Sequence, residues 1–211
     1  MNRTLALSED QRDCLQEVVN VAMGQAGDSL ARFLEVFIQL SVPRIQLLHR
    51  DQLIHQLTTM TRGDRVRVSG VSQGFYQLSG SRGMRGEAIV LFTDSSFREL
   101  ADLLAYDSTL SMETEKELLL DVANILSGAC LNGIAEQFDT EMGFSTPAIL
   151  GQRISVHAML EHEKPEWDHA LLVEISYTLE DRSFGCTLFL LMPGESILLV
   201  KRMLDQLLEL L

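Results

Sequence analysis

Cysteine is scarce in this sequence and poorly placed for chemistry. The three thiols, Cys14, Cys130 and Cys186, are odd in number and spread across 211 residues, and no two stand at the spacing of a redox motif or a zinc site. A disulfide framework is not expected, and reduced structural thiols fit a cytoplasmic protein. Basic residues are short as well: 17 Lys and Arg face 30 Asp and Glu, a formal charge of −13. A field of that sign repels phosphodiester backbones and anionic lipid. Neither nucleic acid nor a membrane is therefore expected as the main partner, and a partner with a basic patch is favoured. The first residues hold no apolar run long enough for a signal peptide, and no stretch reads as a membrane span.

Familiar catalytic and cofactor patterns are missing too. No Ser-His-Asp or Cys-His arrangement is recognisable. Gly80-Ser-Arg-Gly83 and Gly83-Met-Arg-Gly86 lack both the Lys-Ser/Thr pair and the strand-to-helix context of a phosphate loop, and read as hairpin turns. His157, Glu161, His162, Glu163 and His169 read as exposed polar residues at strand ends rather than as ligands, so no metal site is expected. The chain is expected to bind no cofactor of its own.

What is present begins with a core. Hydrophobic residues make up 46% of the chain, enough in 211 residues for a substantial interior. A helix is predicted from Ser8, with Ser8 and Gln11 as a capping box, to about Met23. At about 100° per residue Leu15, Val18, Val19, Ala22 and Ala26 share one side. Asp13, Glu17, Asn20 and Gly24 fall within roughly 60° of one another on the opposite side. A solvated helix face normally mixes cations with anions; this one carries two carboxylates, a carboxamide and a glycine. It reads as a surface made to meet a partner.

The same face recurs 104 residues later (13 to 117), where Glu117, Asp121, Asn124 and Gly128 repeat the four positions. Pro43 follows Asn20, and Pro147 follows Asn124, at the same interval of 23 residues. A match at one fixed offset points to internal duplication. The order of elements agrees. A second helical stretch is predicted over Gln25–Leu34, then an ambiguous segment 44–61 that fits a strand and a short helix. Strands follow at 64–78 (with bulges at Gly70 and Gly74) and at 84–93, then a helix capped by Asp94 or Ser95. After a short connection at 106–109 the second half begins with a helix starting between Ser111 and Thr114 (Thr114 and Glu117 forming a capping box). Strands are predicted at 153–160, 171–179 and 184–192, and a closing helix from Glu195. The expected fold is α+β: an antiparallel sheet of about six strands around a pseudo-twofold axis, with two long site-bearing helices. One domain, 1–211, would contain two repeats, about 1–106 and 107–211.

The pattern resembles the CheC/CheX/FliY family of chemotaxis phosphatases that act on phosphorylated CheY, and within it most of all CheC. The family signature is an Asp or Ser, three residues, Glu, two residues, Asn, and Pro after twenty-two more. Asp13, Glu17, Asn20 and Pro43 satisfy it. In the second copy Glu117 and Asp121 depart from it, while Asn124 and Pro147 match. The resemblance implies that the partner is a phosphorylated CheY-like receiver domain, which carries Mg²⁺ beside its acyl phosphate. It implies that Asn20 orients the attacking water and that Glu17 binds the receiver's lysine. Gly24 would permit close approach, Asp13 would support the site, and Pro43 would shape the backing of the helix. Asp121 is one methylene shorter than Glu, so Asp121 and Asn124, with Glu117, Gly128 and Pro147 around them, are expected to form a weaker site. The resemblance also admits a non-enzymatic adaptor that binds a receiver or a CheD-type deamidase. A flagellar switch component is a third class, which the end of the chain at Leu211 directly after its closing helix argues against.

Overall fold

Ser8 starts the first helix as its sequence predicts. Its hydroxyl accepts from the Gln11 backbone N–H at 3.1 Å, and Gln11 Oε1 accepts from the Ser8 N–H at 3.0 Å, so two orphan donors are satisfied reciprocally. Gln11 Nε2 also donates to Asp205 Oδ1 at 2.6 Å, pinning this end to the last helix. The computed structural model describes residues 5–60, 66–78, 83–104, 111–160, 167–180 and 184–210. Within it α1 (Glu9–Leu34) is one helix of 26 residues, not two. Two glycines weaken a helix by only about 1 kcal/mol each. Burial of Leu15, Val18, Val19, Ala22, Ala26 and Leu30 against the rest of the molecule outweighs that cost.

Among the described residues eight strands follow, two more than expected: β1 (Ile38–Leu40), β2 (Arg44–His49), β3 (Val68–Gln77), β4 (Arg85–Thr93), β5 (Met142–Phe144), β6 (Ala148–Ile154), β7 (His169–Leu179) and β8 (Gly185–Pro193). The remaining helices are α2 (Leu53–Met60), α3 (Asp94–Leu103), α4 (Met112–Gln137), α5 (Val156–Leu160) and α6 (Gly194–Leu208). β1 and β5 are three residues long, too short for alternation to declare them. The strand expected at 153–160 is instead the end of β6 followed by α5. Ser155 turns the chain there, its hydroxyl accepting from the Ala158 N–H at 3.1 Å, and Val156, Met159 and Leu160 bury at helical spacing. The second long helix is capped by Ser111, which accepts from the Thr114 N–H at 3.1 Å; the expected Thr114–Glu117 box is not used. α3 begins after Thr93, which makes no side-chain cap. Register in the β3–β6 pairing shifts around Gly70, whereas β3 pairs with β4 without interruption through Gly74. The turn at 79–82, the connection 106–109, and Glu161, His162 and Glu163 lie outside the described residues.

All eight strands form one antiparallel sheet, ordered β1-β7-β8-β4-β3-β5, with β2 also on β7 and β6 also on β3. Ile89 pairs with Phe189 at its centre. Those two are equivalent positions in the two halves, so the pseudo-twofold axis passes between them. Each half's first two strands therefore attach to the other half's edge: β1 and β2 join β7, while β5 and β6 join β3. Helices α1, α4 and α6 cover one face of the sheet, over Val71, Phe75, Val90, Val173, Ile175 and Leu188 among others. α2 and α5 cover the other, over Leu48, Ile89, Leu91, Leu172 and Phe189.

α1 and α4 pack directly on each other at small residues. A Cβ on Gly133 would stand 2.8 Å from Ala22 Cα, so this position admits no side chain. By length and composition α4 is apolar enough to cross a membrane, contrary to expectation. Its apolar side is Leu118, Leu119, Val122, Ala123, Leu126 and Cys130, all buried against α1 and the sheet, as befits a core helix.

Candidate functional site

The face of α1 opposite its buried stripe carries the four marked residues. Asp13 and Glu17 are exposed, and Asn20 and Gly24 are half-buried. Among the described residues, the side chains of Asp13, Glu17 and Asn20 make no hydrogen bond and no ion pair. Glu17 and Asn20 are three residues apart and so lie one turn from each other on the same side. Nothing stands within 4 Å of where a Cβ on Gly24 would lie. An acid, an amide and a bare stretch of helix backbone thus stand open together.

The flank of this face is built by β1, β2 and the turn between them. Leu40 lies over Gly27 of α1, 3.0 Å from where a Cβ would be. Ser41 continues the pairing with β7: its N–H donates to Ser176 O and its hydroxyl accepts from the Ser176 N–H, each at 3.1 Å. Pro43 is buried and, having no N–H, ends that pairing before β2 resumes it. Arg12 Nη1 donates to Ile45 O at 3.3 Å, tying the start of α1 to β2. Pro43 thus lies in the turn between β1 and β2.

On α4 the repeat is more exposed at its amide. Glu117, Asp121 and Asn124 are exposed, Gly128 and Pro147 are half-buried, and the space over Gly128 is open. Ser145 repeats the bonds of Ser41, donating to Gly74 O and accepting from the Gly74 N–H, each at 2.9 Å. One feature differs between the halves. Buried Gln73 of β3 donates from Nε2 to Asn124 Oδ1 at 3.3 Å and to Ser145 O at 3.1 Å. Its Oε1 accepts from the Ser127 hydroxyl at 2.5 Å.

Sequence reasoning passed over Ser41, Ser145 and Gln73. The two serines stand two residues before the matched prolines, at the same 104-residue offset, and that repeat was available as a signal. Gln73 was visible only as a polar residue at an inward position between Val71 and Phe75.

A second polar feature lies on the sheet face away from α1. Ser41, Val42, Pro43, Arg44, Glu174 and Ser176 line an open cavity of about 350 Å³. Burial raises the Glu174 carboxyl above its ordinary range, and Arg44, 3.9 Å away, opposes that shift. No group of three or more His, Cys, Asp or Glu is placed to hold a metal ion among the described residues.

These observations define a structural class first: a duplicated α+β fold with one continuous antiparallel sheet and a polar helix face in each half. No family model matches the chain. Among solved structures, FliY from Thermotoga maritima is similar with a TM-score of 0.70 at 14% identity, over 95% of this chain and 98% of that one. A chemotaxis protein CheX from Desulfovibrio desulfuricans is similar at 0.55 and 14% identity, over 83% and 99%. The FliM middle domain from H. pylori gives 0.59 and 10%, over 93% and 99%. The chain has the CheC/CheX/FliY fold, which the FliM middle domain shares.

Proposed function

We propose that this chain is a protein aspartyl-phosphate phosphatase acting on a phosphorylated CheY-like receiver domain in chemotaxis or two-component signalling. In this reading it works in the cytoplasm as one domain, 1–211, made of two repeats, about 1–106 and 107–211. The observation that carries it is the α1 face, where exposed Glu17 and half-buried Asn20 lie a turn apart on the same side with no partner among the described residues. The partner supplies the acyl phosphate and its Mg²⁺. Water attacks phosphorus, the bond to the aspartate oxygen breaks, and inorganic phosphate and a free carboxylate result.

Such a reaction asks for positioning and charge stabilisation rather than covalent work by the protein. The Asn20 carboxamide accepts from the water and donates to a phosphoryl oxygen without adding negative charge beside an anion. Glu17 takes the receiver's lysine, Gly24 lets the receiver approach, and Asp13 and Pro43 support the arrangement. Asp121 and Asn124, flanked by Glu117, Gly128 and Pro147, contribute less.

The second reading is an adaptor that binds a receiver or a CheD-type deamidase without hydrolysis. Decay of phosphorylated receiver separates the two. A substoichiometric amount of the chain accelerates loss of phosphate if it is an enzyme. Asn20→Ala lowers that rate by about a hundredfold or more, and Asn124→Ala lowers it far less. No acceleration at any ratio favours the adaptor, and a greater loss from Asn124→Ala reverses the ranking of the two faces.

A further inference from the structure

We infer that the α4 face recognises the phosphorylated receiver without turning it over, and that Gln73 is the positioning residue responsible. The inference rests on the phosphatase reading and assigns the second half of the molecule a different task. It starts from a group whose polarity is fixed. The Ser145 backbone carbonyl can only accept, and it faces Gln73 at 3.1 Å, so the atom there is Nε2. Oε1 then faces the Ser127 hydroxyl, which is buried with it. The second N–H of Nε2 is directed at Asn124, 3.3 Å away, and only a carbonyl oxygen can meet it. Asn124 is therefore held with Oδ1 inward and Nδ2 toward solvent.

An amide held that way offers an incoming phosphoryl group two N–H donors. It does not offer the outward carbonyl that a water needs when it is lined up for attack. Asp121, a methylene shorter than Glu17, compounds the defect without causing it.

On α1 the tether is absent for a reason visible in the repeat. Gln73 pairs with Ala88 on β4, and Ile175 pairs with Leu188 on β8. Ala88 and Leu188 are equivalent under the axis through Ile89 and Phe189. Ile175 is thus the counterpart of Gln73, and Met23 is the counterpart of Ser127 (127 − 104). Both are buried and apolar, so neither can hold the Asn20 amide in one sense. Asn20 is free to accept from water and donate to phosphate, whereas the Asn124 carbonyl is drawn inward by Gln73 and its Nδ2 is the group turned toward a partner.

The test uses the whole chain and a receiver carrying beryllofluoride as a stable phosphoryl mimic. Calorimetry is expected to find two mimics bound per wild-type chain and one per Asn20→Ala/Glu17→Ala chain. In the Asn20→Ala background, Gln73→Met and Gln73→Leu each remove the tether on Asn124. Each is expected to raise kcat about tenfold over Asn20→Ala alone, with KM unchanged. Urea unfolding confirms that the variants remain folded, and either one suffices. A gain absent from both folded variants, or no mimic bound by the Asn20→Ala/Glu17→Ala chain, overturns the inference while leaving wild-type turnover intact. A wild-type chain that binds two mimics and hydrolyses nothing overturns the phosphatase reading and leaves recognition by α4 standing.

Discussion

Replacing Gly24 by alanine should stabilise the isolated protein and damage its activity. Gly24 lies in the interior of α1, and a Cβ there would have no atom within 4 Å. No contact opposes the new methyl group. What remains is the backbone entropy of glycine and its poor helix propensity, worth about 0.8–1 kcal/mol relative to alanine. For a chain of this length that gain corresponds to a rise in Tm of about 2–4 °C. Gly128→Ala should give the same increment, since the space over it is also open. Gly133→Ala supplies the contrast, because its Cβ would lie 2.8 Å from Ala22 Cα. The two long helices would have to part, at a cost of about 1–3 kcal/mol.

Turnover should move the other way at Gly24. A methyl group one turn beyond Asn20 keeps the receiver's loops from the helix, and a displacement of about 1 Å can cost a hundredfold in rate. Urea midpoints and receiver dephosphorylation, measured on the same preparations, test both halves of the statement. A destabilised Gly24→Ala would mean that this face is covered in solution. A stabilised Gly24→Ala with full turnover would show that no partner comes close there.

Three further outcomes are expected. Tyr177 is fully buried, and its hydroxyl has no hydrogen-bond partner among the described residues; Tyr177→Phe should raise stability by about 1–2 kcal/mol in urea unfolding, and a loss would reveal a bond to that oxygen. Burial raises the Glu174 carboxyl, so the folded state holds its proton more tightly than the unfolded chain. Stability from this group is therefore lost as pH rises from the ordinary carboxylate range through the raised value. The advantage of Glu174→Gln over wild type should be greater at about pH 8 than at about pH 4, and equal midpoint differences at the two pH values would refute it. Burial pushes the Cys130 thiol up to about 12 and Cys186 higher still, while Cys14 is half-buried and shifted less. Native protein treated with iodoacetamide should therefore take its first adduct at Cys14, with all three thiols reacting only in denaturant; mass spectrometry reads the order.

The parts of the fold that were legible in the chain are those governed by local physics. Ser8 and Gln11 announced the start of α1 because a capping box closes within four residues. The stripe from Leu15 to Ala26 announced which side of that helix is inside. The clean alternation from Leu171 to Leu179 announced β7. Failures came where a segment was too short for its period to show, as in β1, β5 and the Val156–Leu160 helix, or where distant packing outvoted propensity. Gly24 looked like a break; the neighbours that hold α1 straight through it come from the sheet and from α4. The apolar content of α4 was underrated for the same reason, since only its place between α1 and the sheet accounts for it.

The sequence alone determined that two polar helix faces exist, that they are repeats, and that one matches a sparse signature which the other only approximates. Register of residue type along a helix is a property of one chain segment, and 3.6 residues per turn is enough to read it. Tertiary structure alone decided that the halves exchange their first strands, that Glu17 and Asn20 have no partner among the described residues, and that Asn124 has one in Gln73. Those facts depend on which strand lies beneath which helix. Gln73 and Asn124 are distant in the chain, and nothing in either segment specifies that a buried amide of one will turn the exposed amide of the other.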